Sequence, residues 1–194
     1  MTRRTYSGPI FVTDIDETLR DDIQTRVRGA RTIVWRVARL GVPIIYLTAA
    51  EAVALRAINR RFLRAFPSGL LLDRAPNDES PNEVYKARRL RYIAEAYPRA
   101  TFVCMGDNLT GDAIAYQQCR RGYSFIRKVT RWTTDNTPRR RSLPMLVYRS
   151  YTRSVQRIII HTVRSLLSSR DDDPHQKVLR FPNDTFGIRV GKTV

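Results

Sequence analysis

Short apolar runs that halt at acidic or hydroxyl side chains, each followed by a segment of helical periodicity, recur along this chain. Residues 9–12 run into Thr13, Asp14, Ile15 and Asp16, as a buried strand does when its carboxyl end reaches a pocket. Residues 26–40 then place Val27, Ala30, Ile33, Val34, Val37 and Ala38 at helical spacing between arginines, and Gly41 marks a stop. A second apolar strand, 42–47, ends at Thr48 and precedes a helix over 50–66 whose stripe runs through Val53, Leu55, Ala57, Ile58, Phe62 and Leu63. Residues 70–72 read as a short strand, 74–81 as a polar loop, and 82–97 as a helix that carries Lys86 near its start and is closed by Pro98. Residues 101–105 form another strand that runs into Gly106 and Asp107, before a helix over 112–121 and a strand over 123–126. This alternation predicts an α/β fold with a mainly parallel sheet covered by helices on both faces. Such sheets bind ligands at the carboxyl ends of their strands. Here those ends carry Asp14, Asp16, Thr48 and Asp107.

At 194 residues the chain suits one domain with a tail. The expected organisation is a core over 9–130, a polar and basic linker over 131–144, a basic amphipathic helix over 145–170 and a tail over 171–194. In the tail, 178–181 and 186–190 are candidate strands. The helix would carry Tyr148, Tyr151, Val155, Ile158, Ile159, Val163 and Leu166 on one side, with Arg149, Arg153, Arg157 and Arg164 largely elsewhere. Either it packs on the sheet with a solvated arginine face, or it faces a membrane surface or nucleic acid.

Hydrophobic residues at 42% and charged residues at 27% are ordinary globular usage, which excludes wholesale disorder. No apolar run approaches the roughly 18 residues that cross a bilayer. Arg3 and Arg4 are followed by no hydrophobic stretch, so the expected location is cytoplasmic, with attachment to membranes at most peripheral. Cys104 and Cys119 lack the spacing of a zinc site or a redox pair, and neither His161 nor His175 has a nucleophile nearby. The net charge is +17, and 31 of the 35 basic residues are arginine. That sign favours phosphate-rich partners: nucleic acid, an anionic membrane or phosphorylated small molecules.

Asp14 and Asp16, two residues apart at the end of a strand, repel one another unless a cation or a proton resolves the conflict. Gly106, Asp107, Asn108, Leu109, Thr110, Gly111 and Asp112 follow another strand and supply a second acidic pair. Together the two sites suit one hard cation such as magnesium, which prefers oxygen ligands and needs few protein carboxylates beside a substrate phosphate. The alternative for Asp107 or Asp112 is a helix cap.

On these residues the chain resembles the haloacid dehalogenase (HAD) superfamily of phosphatases. Asp14 to Thr18 matches the first motif, Thr48 follows the second strand, Lys86 lies on a later helix, and Gly106, Asp107 and Asp112 form the acidic fourth motif. The segment YKARRLRYIAEAYPRATFVCMGDNLTGDAIAY, 85–116, looks like the catalytic domain of the actin-patch-type phosphatidate phosphatases and, more distantly, of the lipins. Glu17 stands where these relatives usually have Asp or Gly, and Thr48 where Ser is usual. The resemblance implies a Rossmann-like core without a large cap domain. It implies Asp14 as nucleophile, Asp16 as general acid and base, Thr48 as a phosphate-binding hydroxyl and Lys86 as the charge that offsets nucleophile and phosphoryl group. It also implies Mg2+ held by Asp14, the backbone carbonyl of Asp16, Asp107 and Asp112.

Only residues 19–25 separate the first motif from the next helix, and no domain-sized insertion follows Thr48, so an open pocket is expected. An open site suits a phosphate presented on something large. The leading expectation is a magnesium-dependent hydrolase of phosphatidate or a similar lipid phosphomonoester, working at an anionic membrane with the 145–167 segment as docking surface. A phosphatase for nucleic-acid ends and a non-enzymatic nucleic-acid-binding module stand as alternatives.

Overall fold

The strand β1 (Pro9–Thr13) is buried along its whole length and becomes polar only at Thr13, which places it at the centre of a sheet. The computed structural model describes residues 6–21, 25–119, 121–129, 144–169 and 188–190. Chain order continues α1 (Ala30–Arg39), β2 (Ile44–Glu51), α2 (Ala52–Leu63), β3 (Gly69–Arg74), α3 (Asn82–Ala96), β4 (Thr101–Asp107) and α4 (Asp112–Ala115). After a 3₁₀ turn at Tyr116–Gln118 come β5 (Gly122–Arg127), β6 (Met145–Tyr148), α5 (Arg153–Ser168) and β7 (Ile188–Val190). The sheet order is β6-β5-β4-β1-β2-β3-β7. All neighbouring strands are parallel except β7, which runs antiparallel to β3.

The chain order reverses at the β1/β4 boundary, where β2 and β3 lie to one side and β5 and β6 to the other. This is a topological switch point, where parallel sheets open a crevice at their carboxyl ends. The β1–β4 register pairs Thr13 with Met105, so Asp14 and Asp107 emerge on opposite sides of that crevice. The core has two layers. Ile33, Val34 and Val37 of α1, Phe62 and Leu63 of α2, and Ile159 and Val163 of α5 pack on one face of the sheet. Tyr85, Leu90 and Ile93 of α3, with Ala113 and Tyr116, cover the other. The expected Rossmann-like fold with helices on both faces is therefore present, and no large cap stands over it among the described residues.

The helix expected over 26–40 starts only at Ala30, after Gly29 in the left-handed region, and leaves Val27 outside it, its N–H bonded to the Leu19 carbonyl. Three further elements differ from the sequence expectation. Residues 145–148 begin no helix: Met145–Tyr148 pairs in parallel with β5, and α5 starts only at Arg153, where the Thr152 hydroxyl accepts the Val155 N–H at 3.3 Å. A four-residue apolar run carries too few periods to tell strand from helix. The expected helix over 112–121 stops at Ala115 and tightens into the 3₁₀ turn, because Cys119 is already extended for the return into β5. β2 continues past Thr48 to Glu51, with a register shift between Leu47 and Glu51, so Thr48 sits in an irregular stretch of strand rather than at its end.

Residues 131–143 of the linker and the candidate strand at 178–181 lie outside the described residues, whereas β7 falls within the expected 186–190. Among the described residues no helix is long and apolar enough to cross a membrane.

Candidate active site

β1 delivers Asp14 into the crevice, and its backbone N–H still donates to the Met105 carbonyl of β4 at 2.9 Å. The carboxylate is 1% exposed; Oδ1 accepts from Lys86 Nζ at 2.9 Å, while Oδ2 is buried with no partner. Burial raises its pKa well above the usual carboxylate range, and the Asp112 charge raises it further against the opposing effect of Lys86.

Lys86 stands near the start of α3 and is itself 1% exposed, so it is no ordinary surface lysine. Its ammonium donates to Asp14 Oδ1, to Asp112 Oδ1 at 2.6 Å and to Thr110 Oγ1 at 3.0 Å. Burial alone would lower its pKa; Asp112 and Asp14 outweigh that and hold it protonated, with the pKa raised.

The loop after β4 is ordered by its own side chains. Asp107 Oδ1 accepts the N–H groups of Leu109 at 2.5 Å and Thr110 at 2.8 Å, and the Thr110 hydroxyl lies 2.7 Å from Asp107 Oδ2. Asp112 Oδ2 accepts the Asp107 N–H at 3.1 Å. The cap position of α4 is Gly111, in the left-handed region at φ 83°, with no side-chain cap bond, so Asp112 is not the cap of that helix. Burial, with the Asp107 charge adding and Lys86 opposing, pushes Asp112 up to about 6. Gly106 makes the close approach possible: a Cβ there would stand 2.5 Å from Asp112 Oδ2.

Asp14, Asp107 and Asp112, all buried, each offer one carboxylate oxygen within 4.8 Å of the others. Three buried carboxylates, one of which keeps an unpartnered oxygen, fit a hard divalent cation. The raised pKa values of Asp14 and Asp112 are the electrostatic conflict that such a cation would relieve.

Asp16 lies apart from this cluster. Its side chain is 37% exposed; Oδ1 pairs with Arg20 at 2.6 Å and Oδ2 accepts from the Thr48 hydroxyl at 3.2 Å. Thr48 Oγ1 in turn accepts the Ala50 N–H at 3.1 Å. Between Asp16 and Thr18, Glu17 takes a left-handed conformation at φ 58°. The turn is pinned from outside, since Arg127 donates to the Glu17 carbonyl at 2.6 Å and to Asp21 Oδ1 at 2.7 Å.

All six side chains singled out in the sequence thus reach the carboxyl-end crevice, in two groups. Asp14, Lys86, Asp107 and Asp112 form a buried cluster, while Asp16 and Thr48 pair beside it. The sequence reading passed over Thr110, which touches three members of the cluster, and Arg20. Thr110 lies inside the acidic motif and could have been found there. Arg20 carried only its spacing of four from Asp16, a weak signal among so many arginines.

A switch-point crevice that gathers an aspartate from the end of β1, a hydroxyl from β2, a buried lysine and two further aspartates around β4 is the arrangement that the resemblance to HAD-type phosphatases implies. Residues 10–130 match the family model described as "Phosphatidate phosphatase APP1, catalytic domain", and the chain belongs to that family. Among solved structures, one chain of "Structure of the Pnkp1/Rnl/Hen1 RNA repair complex" aligns over 76% of this chain at TM-score 0.50 and 16% identity. One from "Structure of Pnkp1/Rnl/Hen1 complex" aligns over 65% at TM-score 0.47 and 16% identity. The aligned regions span only 44% and 48% of those chains, and the likeness to the first is one of fold. Among curated proteins, no match is found.

Proposed function

We propose that the chain is a magnesium-dependent phosphomonoester hydrolase that works through an aspartyl-phosphate on Asp14, with phosphatidate or a similar lipid phosphate as substrate. The observation that carries this reading is the Lys86 ammonium bridging Asp14 and Asp112 inside a buried acidic cluster, with Asp14 Oδ2 left unpartnered. An anionic nucleophile approaching a phosphate needs positive charge nearby. Unit charges about 4 Å apart interact by roughly 4 kcal/mol at an effective dielectric near 20. Lys86 supplies part of that compensation.

Asp14, Asp107 and Asp112, with the Asp16 backbone carbonyl, would hold Mg2+, which when bound supplies Lewis-acid stabilisation of the phosphoryl oxygens. The Asp14 carboxylate attacks phosphorus as the bond to the leaving oxygen breaks, and protonated Asp16 gives its proton to that oxygen. In the second displacement Asp16 takes a proton from water while the water oxygen bonds to phosphorus and the Asp14–phosphorus bond breaks. Inorganic phosphate and free Asp14 result. Thr48, whose hydroxyl hydrogen can turn from Asp16 Oδ2 to another acceptor, holds a phosphoryl oxygen.

The lipid substrate rests on the family. A second reading, phosphorylated nucleic-acid ends, draws on the charge distribution. Helices α1, α2 and α5 contain no acidic residue, and Arg31, Arg36, Arg39, Arg60, Arg61, Arg153, Arg157 and Arg164 are exposed on them. The apolar stripe of α5 is spent on the core through Ile159, Ile160 and Val163. Docking on a bilayer would therefore use the arginines rather than an inserted helix, and would weaken with salt. Phosphate release from phosphatidate vesicles, compared with release from 3′- and 5′-phosphorylated oligonucleotides, tests the substrate. Faster, Asp14-dependent release from phosphatidate supports the lipid reading; release only from oligonucleotides replaces it with the second. A non-enzymatic binding module would release phosphate from neither.

A further inference from the structure

We propose that Arg20 is a positioning residue that fixes the carboxylate of Asp16 and leaves Oδ2 as the oxygen that exchanges the proton. The inference rests on the acid–base role proposed for Asp16. Arginine is almost never fully buried unless paired, yet Arg20 is 1% exposed and is the largest fully buried side chain among the described residues. Its guanidinium carbon lies 5.5 Å from the centre of the Phe62 ring, while Nε at 2.8 Å and Nη2 at 2.6 Å converge on one oxygen, Asp16 Oδ1. Its backbone is tied as well, through bridges to Asp16 and to Arg26. The anchor is therefore held by packing at both ends.

The other oxygen of Asp16 is held differently. Oδ2 meets only the Thr48 hydroxyl among the hydrogen bonds of the described residues, and that hydroxyl can turn to another acceptor. When a substrate phosphoryl oxygen takes the Thr48 hydroxyl, Oδ2 is released while Oδ1 stays fixed on Arg20. The proton then travels on Oδ2: to the leaving oxygen as its bond to phosphorus breaks, and back from water in the second displacement. A merely structural pair half open to solvent would contribute little to stability and would give no reason to bury an arginine so completely.

The test uses kcat/KM, which reflects the first displacement, for two phosphomonoesters at saturating magnesium. One has a good leaving group, p-nitrophenyl phosphate, and the other a poor one, glycerol phosphate. General acid catalysis contributes about 100-fold or more where the leaving oxygen needs a proton, and little where it does not. Asp16→Asn is expected to lose at least about 100-fold more on glycerol phosphate than on the aryl ester. Arg20→Met is expected to show the same selectivity, at about 10-fold or more, with KM nearly unchanged, and to add no selectivity to Asp16→Asn in the double variant. If Arg20→Met does not fold, Arg20→Lys, which keeps the charge but not the two-point grip, is read in the same way. Equal losses on both esters in the Arg20 variant, beside a selective loss in Asp16→Asn, would overturn the role of Arg20 alone. An unselective Asp16→Asn would instead remove the acid–base role of Asp16.

Discussion

Lys86 Nζ lies 2.9 Å from Oδ1 of Asp14, a residue 72 positions earlier in the chain, and both side chains are 1% exposed. Removing the lysine strands two buried carboxylates, Asp14 and Asp112, without their counter-charge. Breaking a buried pair in this way costs about 3–5 kcal/mol. Lys86→Met is therefore expected to lower unfolding free energy by that order in urea titrations, and to abolish phosphate release. Magnesium should restore part of the stability but none of the activity.

The acidic cluster also sets a pH signature for metal binding. Asp14 and Asp112 have folded pKa values raised above the ordinary 3.8, with Asp112 near 6. Their contribution to stability in metal-free protein is full below about 4 and is lost as pH rises through the folded values. A divalent cation requires the ionised carboxylates, so its stabilising effect should grow over the same interval. The rise in Tm on adding magnesium is expected to be larger at pH 7.5 than at pH 5, as read by calorimetry. An equal rise at both would show that the metal binds elsewhere.

Gly106 offers a test of the geometry of β4. A Cβ on this residue would stand 2.5 Å from Asp112 Oδ2 and 2.6 Å from its Cβ, so something must shift, and the short aspartate side chain offers no long flexible stem to absorb it. Gly106→Ala should displace Asp112 and lower magnesium affinity by about 10-fold or more, the scale expected when the support of a ligand is disturbed. Isothermal titration calorimetry checks it, with circular dichroism to confirm the fold.

The turn after the nucleophile carries strain. Glu17 at φ 58° occupies a region where a non-glycine residue costs about 1 kcal/mol. Glycine avoids the penalty. Glu17→Gly is expected to raise stability by up to about 1 kcal/mol, the gain being trimmed by the greater freedom of glycine in the unfolded chain. Glu17→Ala should give no gain, and chemical denaturation distinguishes the two.

Much of this was legible in the sequence because the strands near the centre of the sheet are apolar almost to their last residue and then turn acidic. Asp14 and Asp107 are polar where β1 and β4 leave the core, and Lys86 falls one turn into a helix with a clear closing proline. The edges were harder. Met145–Tyr148 is half-buried for three of its four residues, too short and mixed to distinguish β6 from a first turn of helix. What escaped the sequence altogether was pairing. Nothing in composition or periodicity reveals that Arg20 turns inward over Phe62, or that Asp16 faces Arg20 and Thr48 rather than the other aspartates, since both depend on how the Asp21–Thr25 and Val27–Leu19 backbone bonds draw residues 19–21 and 25–27 together.

The most direct test is phosphate release from phosphatidate by the purified chain, with magnesium and with chelator, beside Asp14→Asn. The expected result is release that requires magnesium and disappears in Asp14→Asn, with phosphate trapped on Asp14 of the wild-type protein after rapid acid quench. Release that survives in Asp14→Asn, or that proceeds equally in chelator, would contradict an aspartyl-phosphate formed beside a metal-binding cluster.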